Sequence, residues 1–466
     1  MGSEAFGAFK ALMELYGHLS ILEFGLFTGL VALFVSDHQR EHAAGILRAG
    51  RRLYLWPVLW TAVASAALLP FLPRLLGVSE ELVGPLRWAF VLVAATGVLI
   101  PTQADRAFLE ATNHGHRVNL AMLWQNLCFM ACSLLLAFSG LGVLAQAWAT
   151  LLAGGLGAGL VRREAARWVP AAAETESSVE WKRRIRAVQR PQVLNDVAAK
   201  LSHNCDQLII AFLLGPREVT RVFLGQRLFV ILQGQLQGLG QSAQASLGAL
   251  YYGSTGAFVP RVLETSKVIA VAGCAFLVPL CLLNRPFIRL WVGEEHLLAG
   301  EALTYVAAAN AFLYALFAFW AHLVTILGRP AILTRVSWVQ AAVNIAASVT
   351  LTYTMGAAGP VAGTLVAFLA VPAWAYPRLL FVHLGIDLRR LATAVLPSAM
   401  LAFLLVMAHT VWPVAHEVTS WPLLVVAGGT GASALLGLQY ALFFSSEEKA
   451  LFGGRLRALR ERRWRR

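Results

Sequence analysis

Apolar runs separated by short polar turns follow one another from residue 9 to residue 444. A bilayer's hydrocarbon core takes about 20 apolar residues as a helix, and these runs are of that length, so the pattern predicts an all-α polytopic membrane protein. About thirteen spans are expected. Five run over 9–35, 53–73, 88–104, 118–138 and 141–161. A polar, basic linker at 162–190 follows, and then 191–214, 222–250, 265–284, 302–327, 331–354, 358–381, 391–412 and 421–444. The linker divides an N-terminal lobe (1–161) from a C-terminal lobe of six spans (191–385). Two additional spans (386–444) and a basic tail (445–466) complete the chain.

The least regular span is 191–214, which carries Asn195, Asp196, Lys200, His203, Asn204 and Asp206. A charge at mid-membrane costs about 3 kcal/mol on insertion scales, so such residues face a cavity or a partner. Asp196, Lys200 and Asn204 are four residues apart in turn, His203 lies seven beyond Asp196, and Asp206 points nearby, so they share a face. In the next span Gln226, Gln233, Gln237, Gln241 and Gln244 form one stripe, with Arg227 one residue off its top. Interhelical bonds are worth about 0.6 kcal/mol each. Five amides on one face exceed that purpose and favour a cavity lining. In the first span Glu14 and His18 are one turn apart and Glu23 follows; they read as an internal pair, a cavity wall or ion-coupling carboxylates. Asp105, Arg106 and Glu110 read as a solvated helix end.

Composition fits the same class: 58% hydrophobic, 14% charged, with mean hydropathy +0.65, against about 25% charged in soluble domains. The net charge of +13 is distributed by loop. Of the 38 Lys and Arg, 29 fall on one set of alternate loops together with the linker and tail, seven on the other, and Lys200 and Arg227 within spans. The positive-inside rule accounts for this split without invoking nucleic acid and places the linker and C-terminus in the cytoplasm, with the N-terminus outside. All five cysteines fall in spans with no metal-type spacing, and His114 and His116 have no further ligands near them. No phosphate-binding G-x-x-x-x-G-K-[ST] loop occurs, so neither a cofactor nor ATP hydrolysis is expected. Gly154, Gly155, Gly157 and Gly159 form a small-residue packing face. Trp56, Trp60, Trp291, Trp412 and Trp421 read as interfacial anchors.

Both lobes open with a glycine-punctuated, unusually polar helix, at 3–35 and 217–250, as in repeat-built transporters. In this alignment helix 191–214 has no partner in the first lobe.

Asp206 followed by Leu213-Leu214-Gly215-Pro216-Arg217-Glu218-Val219, and further on Phe287-Ile288-Arg289-Leu290-Trp291-Val292-Gly293, are similar to two features of bacterial polysaccharide flippases. Asn344, Ser348, Gly356, Gly359 and Gly363 resemble a helix pair of that family, and Glu23-Phe24-Gly25 stands where it often has Asp-x-Gly. The resemblance runs from about residue 4 to 385. The family belongs to the MATE-like MOP exporter superfamily, with two helical lobes around a central cavity and often two more C-terminal helices. The resemblance implies a non-enzymatic secondary transporter in the bacterial cytoplasmic (inner) membrane. It would flip an undecaprenyl-pyrophosphate-linked oligosaccharide for O-antigen or exopolysaccharide assembly. Lys200, Arg227 and Arg221 would attract the pyrophosphate, Asp196, His203, Asn204, Asp206 and the glutamines would line the cavity, and Glu14, Glu23, Asp196 or Asp206 would couple ions. The partners implied are the lipid-linked oligosaccharide, membrane lipids, a polysaccharide polymerase and chain-length proteins. The family's first span, ahead of Phe6-Gly7, is not matched, so a first transmembrane helix is expected to be missing. Rival readings are a drug or metabolite exporter of the same superfamily and a non-transporting scaffold of an envelope polysaccharide complex. A membrane polymerase or glycosyltransferase is disfavoured, because the longest outside loops, 74–87 and 285–301, are short.

Overall fold

The computed structural model describes residues 2–23, 25–36, 42–112, 114–169, 180–186, 193, 197, 205–252, 256–293, 298, 300–326, 330–411 and 418–450. No strand occurs among them; the protein is all-α. The helices in order are α1 (Ser3–Leu19), α2 (Leu26–Ser36), α3 (Ala43–Leu53), α4 (Leu55–Leu68), α5 (Leu72–Leu76), α6 (Glu80–Ala95), α7 (Thr102–Ala111), α8 (Gly115–Phe138) and α9 (Val143–Trp168). They continue with α10 (180–186), α11 (Asp206–Leu214), α12 (Pro216–Tyr252), α13 (Phe258–Val292), α14 (Glu301–Ile326), α15 (Pro330–Met355), α16 (Gly359–Ala370), α17 (Pro372–Leu384), α18 (Leu388–Val411) and α19 (Trp421–Phe443). Among the described residues eight helical stretches are long and apolar enough to cross a membrane.

The chain forms two compact units that interleave in sequence: Met1–Arg221 with Ala331–Gly363, and Val222–Pro330 with Thr364–Arg466. In the first unit, α8 and α9 make an antiparallel hairpin. Its turn needs glycine, because Gly140 and Gly142 sit at φ +78° and +54°. The outward face of α8 is apolar and exposed through Leu123, Leu127, Leu134 and Leu135, as suits a helix solvated by lipid. A second hydrophobic core gathers Leu26, Leu30, Ile46, Tyr54 and Phe108 from α2, α3, the α3–α4 junction and α7. At Gly50 a Cβ would meet Leu30 at 3.0 Å and Ala104 at 3.4 Å, so α3 lies close on this core.

Asp105 departs from the expected solvated helix end. It is 1% exposed and paired with Arg51 of α3, whose Nε also donates to it at 3.3 Å. A carboxylate inside packed helices needs such a partner, and Arg51 lies 54 residues away in sequence. Arg106 and Glu110 do pair along the helix surface at 2.7 Å.

At the other end of this unit the start of α1 meets the start of α12. The Glu4 carboxylate accepts from the Ser79 backbone N–H at 2.8 Å and from Arg217 at 3.3 Å. The Thr220 hydroxyl donates to the Ser3 carbonyl at 2.6 Å. Gly7 permits this approach, since a side chain there would run into the Pro216 carbonyl.

In the second unit α18 and α19 both pack along α13. Gln439 donates to the Val271 carbonyl at 3.1 Å, and a Cβ at Gly431 would meet Pro279 at 3.3 Å. Lys267 fastens Glu448 at 2.7 Å beyond a capping box in which Ser445 and Glu448 satisfy each other's backbone N–H.

The Ser79 amide, and after it Arg217, hold the Glu4 carboxyl below its usual value. A group with a lowered native pKa stabilises the fold above its unfolded pKa, about 4.3 for Glu, and that contribution is lost as pH falls through the native value. Thermal unfolding in detergent should therefore show Glu4→Gln less stable than the native chain at pH 7, with the difference vanishing in acid. A constant difference across that range counts against a stabilising role for the ionised Glu4 contacts.

Candidate functional site

Of the residues expected to form a polar wall, Asp196, Lys200, His203 and Asn204, with Asn195, lie outside the described residues. Asp206 is described and opens α11. The structure brings it together with α1. The Glu14 carboxyl is buried and turned toward the backbone N–H groups of Gln207 and Leu208, within electrostatic reach of Asp206. A carboxyl at a helix N-terminus faces unpaired backbone donors. His18 does not pair with the Glu14 carboxyl. Its Nδ1 donates to the Glu14 backbone carbonyl at 2.7 Å, and its Nε2 lies 3.7 Å from Cys205 Sγ. Two candidate acids far apart in sequence thus belong to one cluster.

Glu23 lies elsewhere in the same unit, on a cavity of about 360 Å3. The lining is polar for a membrane interior: Tyr16, Thr61, Thr96, Gln103, Arg106, Gln125 and Thr150 join Glu23. Glycines create the space. Gly154 and Gly157 of α9 border it, and a Cβ at Gly157 would collide with the Gln125 amide. The Thr61 hydroxyl is buried without a hydrogen-bond partner among the described residues, and Thr96 reaches Tyr16 Oη at 3.3 Å. The cavity size falls within the range of about 300–1,000 Å3 typical of small-molecule sites. Among the described residues no group of three or more metal-ligating side chains occurs. His114 instead stacks on Trp168 with ring centroids 4.2 Å apart.

The glutamine stripe of α12 belongs to the second unit. Phe229, Leu236 and Leu247 form the buried face of the helix. Gln226, Gln233 and Gln237 lie at its half-buried margin, Gln241 is exposed, and the Gln244 side chain is outside the described ones. Gln226 Nε2 is buried and unpaired among the described residues, while Gln237 bonds to Tyr314. Arg227 is exposed and stacked over Phe223, 5.4 Å from its centroid. Arg221 is held by Glu218 at 3.0 Å. A separate, almost wholly apolar cavity of about 500 Å3 lies between α13, α14, α16 and α18, lined by Leu277, Phe312, Leu369, Phe403 and Val406 among others.

One polar array escaped the sequence reading as a site. Gln340, Asn344, Ser348 and Thr352 of α15 follow at four-residue steps, and all are at least nine-tenths buried. Ser348 Oγ lies 2.9 Å from Asn344 Oδ1 and 3.2 Å from the Pro360 carbonyl, while Gln340 Nε2 has no partner among the described residues. The spacing was the available signal. Gly359 and Gly363 allow α16 to lie directly on this row, since a Cβ at either would strike the backbone at Thr352 or Ser348.

No protein-family model matches the sequence, and no curated protein does. Solved structures match along most of the chain. The lipid II flippase MurJ in an inward closed conformation aligns with a TM-score of 0.72 at 12% identity, over 95% of this chain and 93% of that one. An inward-facing multidrug resistance MATE transporter of the MOP superfamily aligns at 0.65 and 16%, over 81% and 91%. A Vibrio cholerae MATE transporter in the bent form aligns at 0.52 and 15%, over 84% and 91%. The fold is that of the MOP transporters. At these identities the likeness speaks to architecture alone.

If the α15–α16 approach supports the buried array, Gly363→Val should destabilise the protein by about 1–3 kcal/mol or more through overpacking, read as a lowered unfolding temperature in detergent. Gly428→Ala, whose Cβ would meet Leu283 at an ordinary 3.5 Å, should leave it nearly unchanged.

Proposed function

We propose that the protein is a secondary transporter of the MOP superfamily in the bacterial inner membrane. It flips an undecaprenyl-pyrophosphate-linked oligosaccharide for surface polysaccharide assembly by alternating access of an N-terminal lobe (1–161) and a C-terminal lobe (191–385). The observation that carries this reading is that polar side chains are held inside apolar helical units sharing an architecture with a lipid II flippase. Intramembrane polar and ionisable groups mark substrate and ion routes. Lys200 and Arg227 attract the pyrophosphate, for which charge-assisted hydrogen bonds are the strong ones. Asp196, His203, Asn204 and the α12 glutamines take the sugar hydroxyls. Glu14 with Asp206, and Glu23, carry the coupling ion. The lipid tail stays in the bilayer throughout.

The likeness to MATE proteins favours a second reading, export of a drug or metabolite. Proteoliposomes separate the two. Translocation of a fluorescent undecaprenyl-pyrophosphate oligosaccharide should be protein-dependent and fall about tenfold or more in Lys200→Ala and Arg227→Ala, the loss of one charge-assisted bond of about 1.5–3 kcal/mol. Unaltered rates in both variants remove the cation assignment. Protein-driven efflux of a cationic dye with no movement of the lipid-linked sugar replaces the flippase reading with export.

A further inference from the structure

At the end of the first unit that carries the basic loops, α10 is seated against protein by its apolar side. Trp181 and Ile185 belong to the buried core. A Cβ at Gly45 of α3 would lie 3.1 Å from Trp181 Nε1, so the absent side chain lets the indole edge meet the α3 backbone. His42 lies 5.4 Å from the same ring. Arg184 stacks over the Trp181 ring at 4.8 Å and pairs with Glu180 at 3.0 Å. This arrangement fixes the orientation of α10. Arg183 and Arg186 are exposed and Lys182 is half-exposed, and none of the three has an acidic partner among the described residues.

The neighbouring helix extends this surface. Arg48 and Arg52 are exposed and lie three and seven residues beyond Gly45, on the face of α3 that meets α10. From Arg52 the chain turns into α4, whose first turns expose Leu55, Trp56, Leu59 and Trp60. A cationic patch therefore borders an apolar, tryptophan-bearing strip at the point where a helix enters the membrane. Solvated charges have no need of such a strip. An amphiphile needs both parts.

We propose that this edge is a binding site for an anionic phospholipid of the leaflet on the basic-loop side. Its headgroup phosphate would be held by Lys182, Arg183, Arg186 and Arg52, and its acyl chains would lie along Leu55, Trp56 and Leu59. Charge complementarity selects the anionic headgroup, because juxtamembrane Lys and Arg each add to the attraction toward an anionic leaflet. The continuous apolar strip selects a lipid over a soluble phosphate. The site lies within one unit and does not depend on what the protein transports.

Native mass spectrometry of the purified full chain with added phosphatidylglycerol or phosphatidylcholine tests the site. Phosphatidylglycerol should bind more tightly, and Lys182→Gln/Arg183→Gln/Arg186→Gln should weaken it about 100-fold, with Trp181 and Ile185 left to hold α10. Arg74→Gln/Arg87→Gln, on loops of the opposite set, should change little. A measurement on the native chain alone gives an independent check. Raising salt from about 0.1 to about 1 M, which shortens the Debye length from about 10 to about 3 Å, should erase the preference between the two lipids. Equal binding of the two lipids, a triple variant within twofold of the native chain, or glycerol 3-phosphate binding as tightly as phosphatidylglycerol would overturn the proposal.

Discussion

Hydrocarbon offers no hydrogen bonds, so every polar group at membrane depth must find its partner inside the protein or in a water-filled cavity. The internal arrangement of both units follows from that constraint. Ser348 satisfies itself on Asn344 and the Pro360 carbonyl because Gly359 and Gly363 bring α16 into contact. Asn284 bonds to the Gly225 carbonyl at 3.1 Å and to Thr304 at 3.0 Å, pinning α13 to α12 and α14. Trp320 donates to Ser266 at 3.1 Å. Small residues supply the proximity and polar ones the specificity of the contact.

Against that background the unsatisfied groups stand out. Gln226, Gln340 and Thr61 each bury a polar atom without a partner among the described residues, a state worth about 1–3 kcal/mol of lost solvation. Thr61 lines the cavity holding Glu23 and Arg106, and Gln226 heads the half-buried stripe of α12.

The fold class was legible because span length and loop charge are properties of the sequence itself. The glutamine stripe was legible for the same reason, since a four-residue step is visible without coordinates. Partners distant in sequence were not. Nothing near Asp105 announces Arg51, and nothing near Glu14 announces the N-terminus of α11. The first was therefore read as solvated, and the second as a pair with His18, a cavity wall or an ion-coupling carboxylate, with Asp206 assigned to the polar face of a different span. The α15 row was visible in spacing but hidden in meaning. Serine and threonine in membrane helices commonly bond to the carbonyl four residues back, as Thr352 does to Ser348 at 2.6 Å, so their presence alone marks no site.

On this reading of the fold, the polar margin of α12 faces water while the outer face of α8 faces lipid. Single cysteines introduced at Gln233, Gln237 and Gln241 in a cysteine-free chain, with Leu134 and Leu135 as comparison, can be labelled in membranes with a water-soluble maleimide. The α12 positions should react and the α8 positions should not. Equal protection at all five would instead place the glutamine stripe in lipid or in sealed packing.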